Sequence, residues 1–139
     1  MRQAASEILV ETQGRGLVDV TRQARAFVEG QGMQTGLLTV FCRHTSASLL
    51  IQENADPAVR RDLMTWLERI APEDEALYEH ADEGPDDMPA HLRSVLTQTQ
   101  LTVPLVGGRL ALGTWQAIYL AEHRRAPHRR RLVLHILGD

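Results

Sequence analysis

Between Gly36 and Ile51 the chain carries Leu37, Leu38, Val40, Phe41, Leu49, Leu50 and Ile51 on both parities of an extended strand. Successive strand side chains point to opposite faces, so such a segment has to be covered on both sides, which demands a layered structure. Its neighbours agree. Residues 6–12 and 16–20 run apolar or alternate around Gly14 and Gly16, and read as two strands with a turn between them. Residues 101–105 and 110–121 flank Gly107-Gly108, a pair suited to the positive dihedrals of a hairpin turn. Residues 132–137 form a closing strand. Helices are fewer. Thr21 can cap a short one with Ala24, Phe27 and Val28 as its apolar stripe and Gly30 and Gly32 at its end. Asp56-Pro57 opens the clearest one, a cap followed by a first-turn proline, with Val59, Leu63, Trp66, Leu67 and Ile70 at helical spacing until Pro72. Residues 73–89 form an acidic loop, and a third helix begins near Asp87 with Leu92, Val95 and Leu96. No repeat, low-complexity tract or linker divides the chain. The expectation is one domain over residues 1–139, of class α+β, with a mainly antiparallel β-sandwich-like sheet flanked by helices.

The 139 residues suffice to bury about two thirds of the unfolded surface without disulfides or a structural metal. A bound metal would therefore be functional. The formal charge of −3 provides no positive field to gather phosphates and argues against nucleic-acid binding. Every basic residue is Arg, and the absence of Lys excludes Schiff-base chemistry and a Walker-type phosphate loop. The single cysteine, Cys42, fits a reducing compartment. Met1-Arg2-Gln3-Ala4-Ala5 has no apolar signal core and no apolar run reaches membrane-spanning length, so a cytoplasmic location without membrane contact is expected.

Three histidines stand in polar, punctuated segments. They are His44 in Arg43-His44-Thr45-Ser46-Ala47-Ser48, His80 in Tyr78-Glu79-His80-Ala81-Asp82-Glu83-Gly84, and His91 in Asp86-Asp87-Met88-Pro89-Ala90-His91. Their spacing matches no local zinc motif, so only the fold could unite them. His44, Ser46 and Ser48 share a parity, which on a strand makes a pocket wall or an internal hydrogen-bonded layer. His91 falls in the first turn of the third helix. There the positive helix end favours neutral imidazole, able to bind a cation, and exposed amides welcome phosphate. Eight of the fifteen residues from Glu73 to Asp87 are acidic. Glu73, Asp74 and Glu75 read as solvated, whereas Glu83, Asp86 and Asp87 flank Gly84-Pro85 beside two histidines, where oxygen ligands of a divalent ion belong. Thr114, Gln116 and Glu122 share a parity, but roughly 20 Å of strand separates the last two, so they would serve one site only across a subunit interface. Trp115 reads as a packing residue. The five arginines from Arg124 to Arg131 read first as a solvated turn with some of them pairing the acidic loop, and Arg130 and Arg93 are the preferred candidates if phosphate is captured. A Ser-His-Asp hydrolase is disfavoured because no G-x-S-x-G elbow exists.

These segments together resemble the YjbQ-like family, the secondary thiamine-phosphate synthase enzymes. The resemblance rests on His44-Thr45-Ser46-Ala47-Ser48-Leu49, Glu53-Asn54-Ala55-Asp56-Pro57 with Arg60 and Asp62, Tyr78-Glu79-His80, Glu83-Gly84 with Asp86-Asp87-Met88-Pro89 and His91, and Gly113-Thr114-Trp115-Gln116 with Glu122-His123-Arg124. It spans most of the chain. It implies a compact α+β sandwich that forms a homotrimer, with a polar site near the subunit contacts. It further implies an enzyme that joins hydroxymethylpyrimidine pyrophosphate to thiazole phosphate. On that expectation His44, His80 and His91 bind a divalent metal, zinc or magnesium, or phosphate. Glu53, Asn54, Asp87, Gln116 and Glu122 would orient the reacting groups, and Arg93, Thr114 and Arg130 would hold phosphate. Two other functions are compatible with the same residues: a metal-assisted reaction on another small phosphorylated metabolite, and a trimeric metal- or phosphate-binding protein without catalysis.

Overall fold

A computed structural model describes residues 1–139. In chain order the elements are β1 (Arg2–Glu11), β2 (Gly16–Asp19), α1 (Thr21–Glu29), β3 (Thr35–Cys42), β4 (Ala47–Glu53), α2 (Pro57–Ile70), a 3-10 turn (Glu75–Leu77), α3 (Asp87–Leu96), β5 (Gln100–Val106), β6 (Arg109–Leu110), β7 (Gln116–Glu122) and β8 (Arg129–Gly138). They make two antiparallel sheets, β1-β8-β3-β5-β6 and β2-β7-β4, with three α-helices. The expected α+β class and antiparallel pairing hold.

The interior draws on both sheets. Leu38 and Val40 from β3, Leu49 from β4, Val103 and Leu105 from β5, Ile118 and Leu120 from β7, and Leu132, Leu134 and Ile136 from β8 belong to one cluster, joined by Ala24 and Val28 of α1. Each fully buried Leu or Ile contributes about 1.5–3 kcal/mol relative to exposure. That cluster fixes register, because slipping β8 by one residue would turn Leu132, Leu134 and Ile136 outward and bring Arg131 and His135 inward. Gly36 and Gly138 are paired across β3 and β8, and a Cβ on either would collide with the backbone carbonyl of Leu137 or Thr35. Close backbone approach requires glycine at both positions.

Local signals largely act as expected. Asp56 caps α2 by accepting a hydrogen bond from the Ala58 amide at 2.9 Å, with Pro57 in the first turn. Gly107 and Gly108 adopt φ of +58° and +77° and turn β5 into β6. Several expectations need correction. The both-parity segment from Gly36 to Ile51 is two strands in different sheets, and residues 43–46 carry the chain from one layer to the other. His44 thus stands in a crossing loop, and His44, Ser46 and Ser48 form no common strand face. Residues 110–121 also divide, since β6 ends at Leu110 and β7 starts at Gln116 in the other sheet. Thr21 does not cap α1: its hydroxyl accepts the Ile118 amide at 2.8 Å, while the Asp19 carboxylate receives the Thr21 amide. On α2 only Leu67 is buried, and Trp66 is 57% exposed.

Candidate metal centre

The start of α3 assembles the site. Asp87 and His91 are four residues apart on the helix and therefore share a face. His91 Nε2 lies 3.0 Å from Asp87 Oδ2, and His80, from the loop before the helix, brings its Nε2 to 2.7 Å from the same oxygen. The ligand-capable atoms of His80, Asp87 and His91 all lie within 4.8 Å of one another. His91 is further oriented from outside the helix, because its Nδ1 donates to the Thr45 carbonyl at 2.9 Å. With Nδ1 turned to that carbonyl, Nε2 is the ring nitrogen that faces the carboxylate.

Asp87 is 1% exposed. Burial by itself would raise its pKa, but the hydrogen bond from His80 and the charge of Arg124 work against burial, and it is held below the ordinary carboxylate value. The hydrogen bond to Asp87 raises His80. Asp87 Oδ1 is taken by Arg124 Nη1 at 2.9 Å, so the two carboxylate oxygens have separate partners. A bidentate carboxylate–guanidinium pair lies nearby. Arg130 Nε donates to Glu122 Oε1 at 2.8 Å and its Nη2 to Glu122 Oε2, with Ser46 and Thr12 completing the network. Both charged groups are buried, and Arg130 leads the groups that hold Glu122 ionised against the effect of burial.

Two of the three singled-out histidines thus meet, together with Asp87. His44 does not join them: its Nε2 accepts the Arg131 amide at 2.7 Å. Arg93 is no phosphate ligand at this centre. It is 1% exposed, lies on the buried side of α3 and donates to the Ala71 carbonyl at the end of α2. Arg130 is committed to Glu122, and Thr114 is exposed. Glu53 and Asn54 lie at the far end of the β4–β7 ladder, where Glu53 pairs with Gln116, while Ala47 pairs with Glu122 at the near end. Asn54 and Gln116 line a separate cavity of about 700 Å³ with Asp19, Arg22 and Arg25. The expected pairing of some arginines between Arg124 and Arg131 with the acidic loop is what Arg124 makes with Asp86 and Asp87 and Arg125 with Glu73, but sequence reasoning did not single out Arg124 as part of the centre, nor the Thr45 carbonyl. The Glu122-His123-Arg124 run was the available signal for Arg124, whereas a main-chain acceptor leaves none.

His123 is fully buried, with Nε2 bonded to Ser48 Oγ at 2.8 Å, and desolvation followed by the charge of Arg93 lowers it to about 4. The unfolded chain binds a proton near the ordinary 6.5 and the folded chain does not, so this stabilisation is complete above pH 6.5 and lost as pH falls toward 4. The difference in urea-unfolding free energy between wild type and His123→Gln should shrink by about 2 kcal/mol from pH 7.5 to pH 5. The raised His80 has the opposite slope, which cancels in that difference. A constant difference would mean that folding leaves the proton affinity of His123 unchanged.

The sequence profile of the UPF0047 protein YjbQ-like family matches residues 6–139. The chain belongs to this YjbQ-like family. It is 50% identical over 138 residues to the UPF0047 protein sll1880 of Synechocystis, covering 99% of this chain and 94% of that one. The UPF0047 protein YugU of Bacillus subtilis is 34% identical over 122 residues, 88% of this chain and 89% of YugU. The crystal structure of a YjbQ/UPF0047-family protein from Clostridium acetobutylicum superposes with a TM-score of 0.88 at 32% identity, covering 95% of this chain and 99% of that one. A YbjQ-like protein of unknown function from Sulfolobus solfataricus, 23% identical with a TM-score of 0.86, shares the fold over 99% of this chain and all of its own. These findings overturn the thiamine-phosphate synthase reading, since the relatives are named for their family alone and the Sulfolobus protein is described as of unknown function. The arginines expected to receive a departing pyrophosphate do not support it either, since Arg93 is 1% exposed and Arg130 is buried and paired with Glu122.

Proposed function

We propose that this YjbQ-like protein holds a divalent metal ion between His80, Asp87 and His91, and that the ion's remaining positions take the oxygens of a small phosphorylated metabolite. The observation that carries this is one carboxylate oxygen facing two imidazole nitrogens, with the His91 ring held by the Thr45 carbonyl so that Nε2 is the nitrogen turned to the shared oxygen. A cation between them satisfies all three atoms. Two nitrogens and one carboxylate oxygen suit zinc and its transition-metal neighbours; magnesium prefers oxygen ligands and retained waters. The side chains of His80 and His91 are 40% and 30% exposed, so solvent reaches the centre from one side. Three protein ligands with an accessible fourth position is the arrangement of zinc sites that engage substrate, where the ion supplies Lewis acidity to a bound oxygen.

No helix is long and apolar enough to cross a membrane. With Cys42 buried and its thiol raised by desolvation, a reducing cytoplasm is the proposed location. Self-association as a homotrimer is proposed on the outward side of the five-stranded sheet. There Leu37 and Leu137 are paired and Phe41 lies further along β3, all three substantially exposed.

Element analysis of protein purified without chelators should find one transition-metal ion per chain, and light scattering should give about three times the chain mass. Phosphorylated metabolites should raise the melting temperature only of the metal-loaded protein. Protein that takes up no zinc, and whose melting temperature zinc leaves unchanged, would refute the metal centre.

A further inference from the structure

We propose that Arg124 is the positioning residue that confines Asp87 to a single-oxygen ligand and thereby decides which ion the centre accepts; this rests on the metal-centre reading. Arg124 follows the end of β7 by two residues, and its guanidinium spans the loop that opens α3. Nε donates to Asp86 Oδ2 at 3.0 Å, Nη1 to Asp87 Oδ1 at 2.9 Å and Nη2 to the Glu83 carbonyl at 2.9 Å. Asp86 is held from a second side by the Arg125 amide at 3.0 Å. One planar fork therefore ties three acceptors from the segment between Glu83 and Asp87, a geometry that an ammonium cannot reproduce.

The consequence for the ion follows from which atoms stay free. With Oδ1 committed to Arg124, Asp87 presents only Oδ2 toward His80 and His91. The positive charge also offsets one of two adjacent carboxylates and keeps Asp86 turned away from the histidines. Without Arg124, Asp87 could offer both oxygens and Asp86 could swing in, giving a more negative, oxygen-rich site of the kind that calcium and magnesium take. With it, the donor set stays two nitrogens and one oxygen, which favours zinc and cobalt.

A purely structural tie would leave the ion's electronic environment unchanged, so the test reads that environment. Wild type, Arg124→Gln and Arg124→Lys are titrated with zinc, with cobalt(II) followed by its visible d–d bands, and with calcium as competitor. Arg125→Gln serves as control, because the Arg125 side chain pairs with Glu73 and not with the centre. Arg124→Gln should bind zinc about 10–100-fold more weakly, as loss of an outer partner of a metal ligand does. Its cobalt bands should shift and its preference for zinc over calcium should narrow, with unchanged circular dichroism. Arg124→Lys keeps the charge and should retain more affinity but show the same narrowed preference. Should Arg124→Gln fail to fold, the Lys variant carries the test through the cobalt spectrum and the competition. Wild-type affinity, spectrum and selectivity in the variants would overturn the role of Arg124 alone. Failure of the wild-type protein to bind either zinc or cobalt would overturn the metal centre and this inference with it.

Discussion

Asp87→Asn should weaken zinc binding by more than about a hundredfold, beyond the range that losing an outer-shell partner costs. The substitution keeps the size of the side chain and removes its charge. What is lost is the only anion that both His80 and His91 face, at 2.7 and 3.0 Å. Folding should suffer less than binding. Asn can still accept from Arg124, and the remaining mismatch at a buried position corresponds to about 1–3 kcal/mol. Competition against a chromophoric chelator measures the first effect and urea unfolding of the metal-free protein the second. Wild-type zinc affinity in Asp87→Asn would show that the ion, if bound, is held elsewhere.

The second large effect belongs to stability. Glu122→Gln leaves the Arg130 guanidinium, itself buried, without its anion, and breaking a buried pair from one side costs about 3–5 kcal/mol. Replacing both, Glu122→Gln with Arg130→Met, removes the stranded charge. The double variant should therefore be no less stable than the single one, although Thr12 and Ser46 lose hydrogen-bond partners. Urea unfolding of the three proteins decides the matter. A cost below about 1 kcal/mol for Glu122→Gln would mean that water reaches Arg130.

Much of this architecture is legible in the residues, and the exceptions share a cause. Asp56-Pro57 marks the start of α2 and Gly107-Gly108 a turn because each acts within a few residues of itself. The same holds for Asp87 and His91, whose spacing on a helix puts them side by side. The layer change at residues 43–46 carries no glycine or proline, and the apolar strands on either side mask it. The pairing of β1 with β8 joins the two ends of the chain, which local patterns do not encode. Charge misleads at Arg93 and Arg130. Arginine is ordinarily exposed; the Glu122 carboxylate makes the burial of Arg130 tolerable, whereas Arg93 has the Ala71 carbonyl as its one partner and keeps Nε and Nη1 buried and unpaired. His44 is misassigned for a related reason: its ring meets a main-chain amide, a partner that no side-chain pattern announces.

His80, Asp87 and His91 fall within twelve consecutive residues. A denatured chain therefore keeps its three ligands within easy reach, since closing so short a loop costs little entropy. An ion that binds the unfolded ensemble as well as the native one stabilises folding by less than its native affinity implies. Heat or urea would then release the sheets before the metal, and refolding would begin from a chain whose α3 segment is already gathered around its ion.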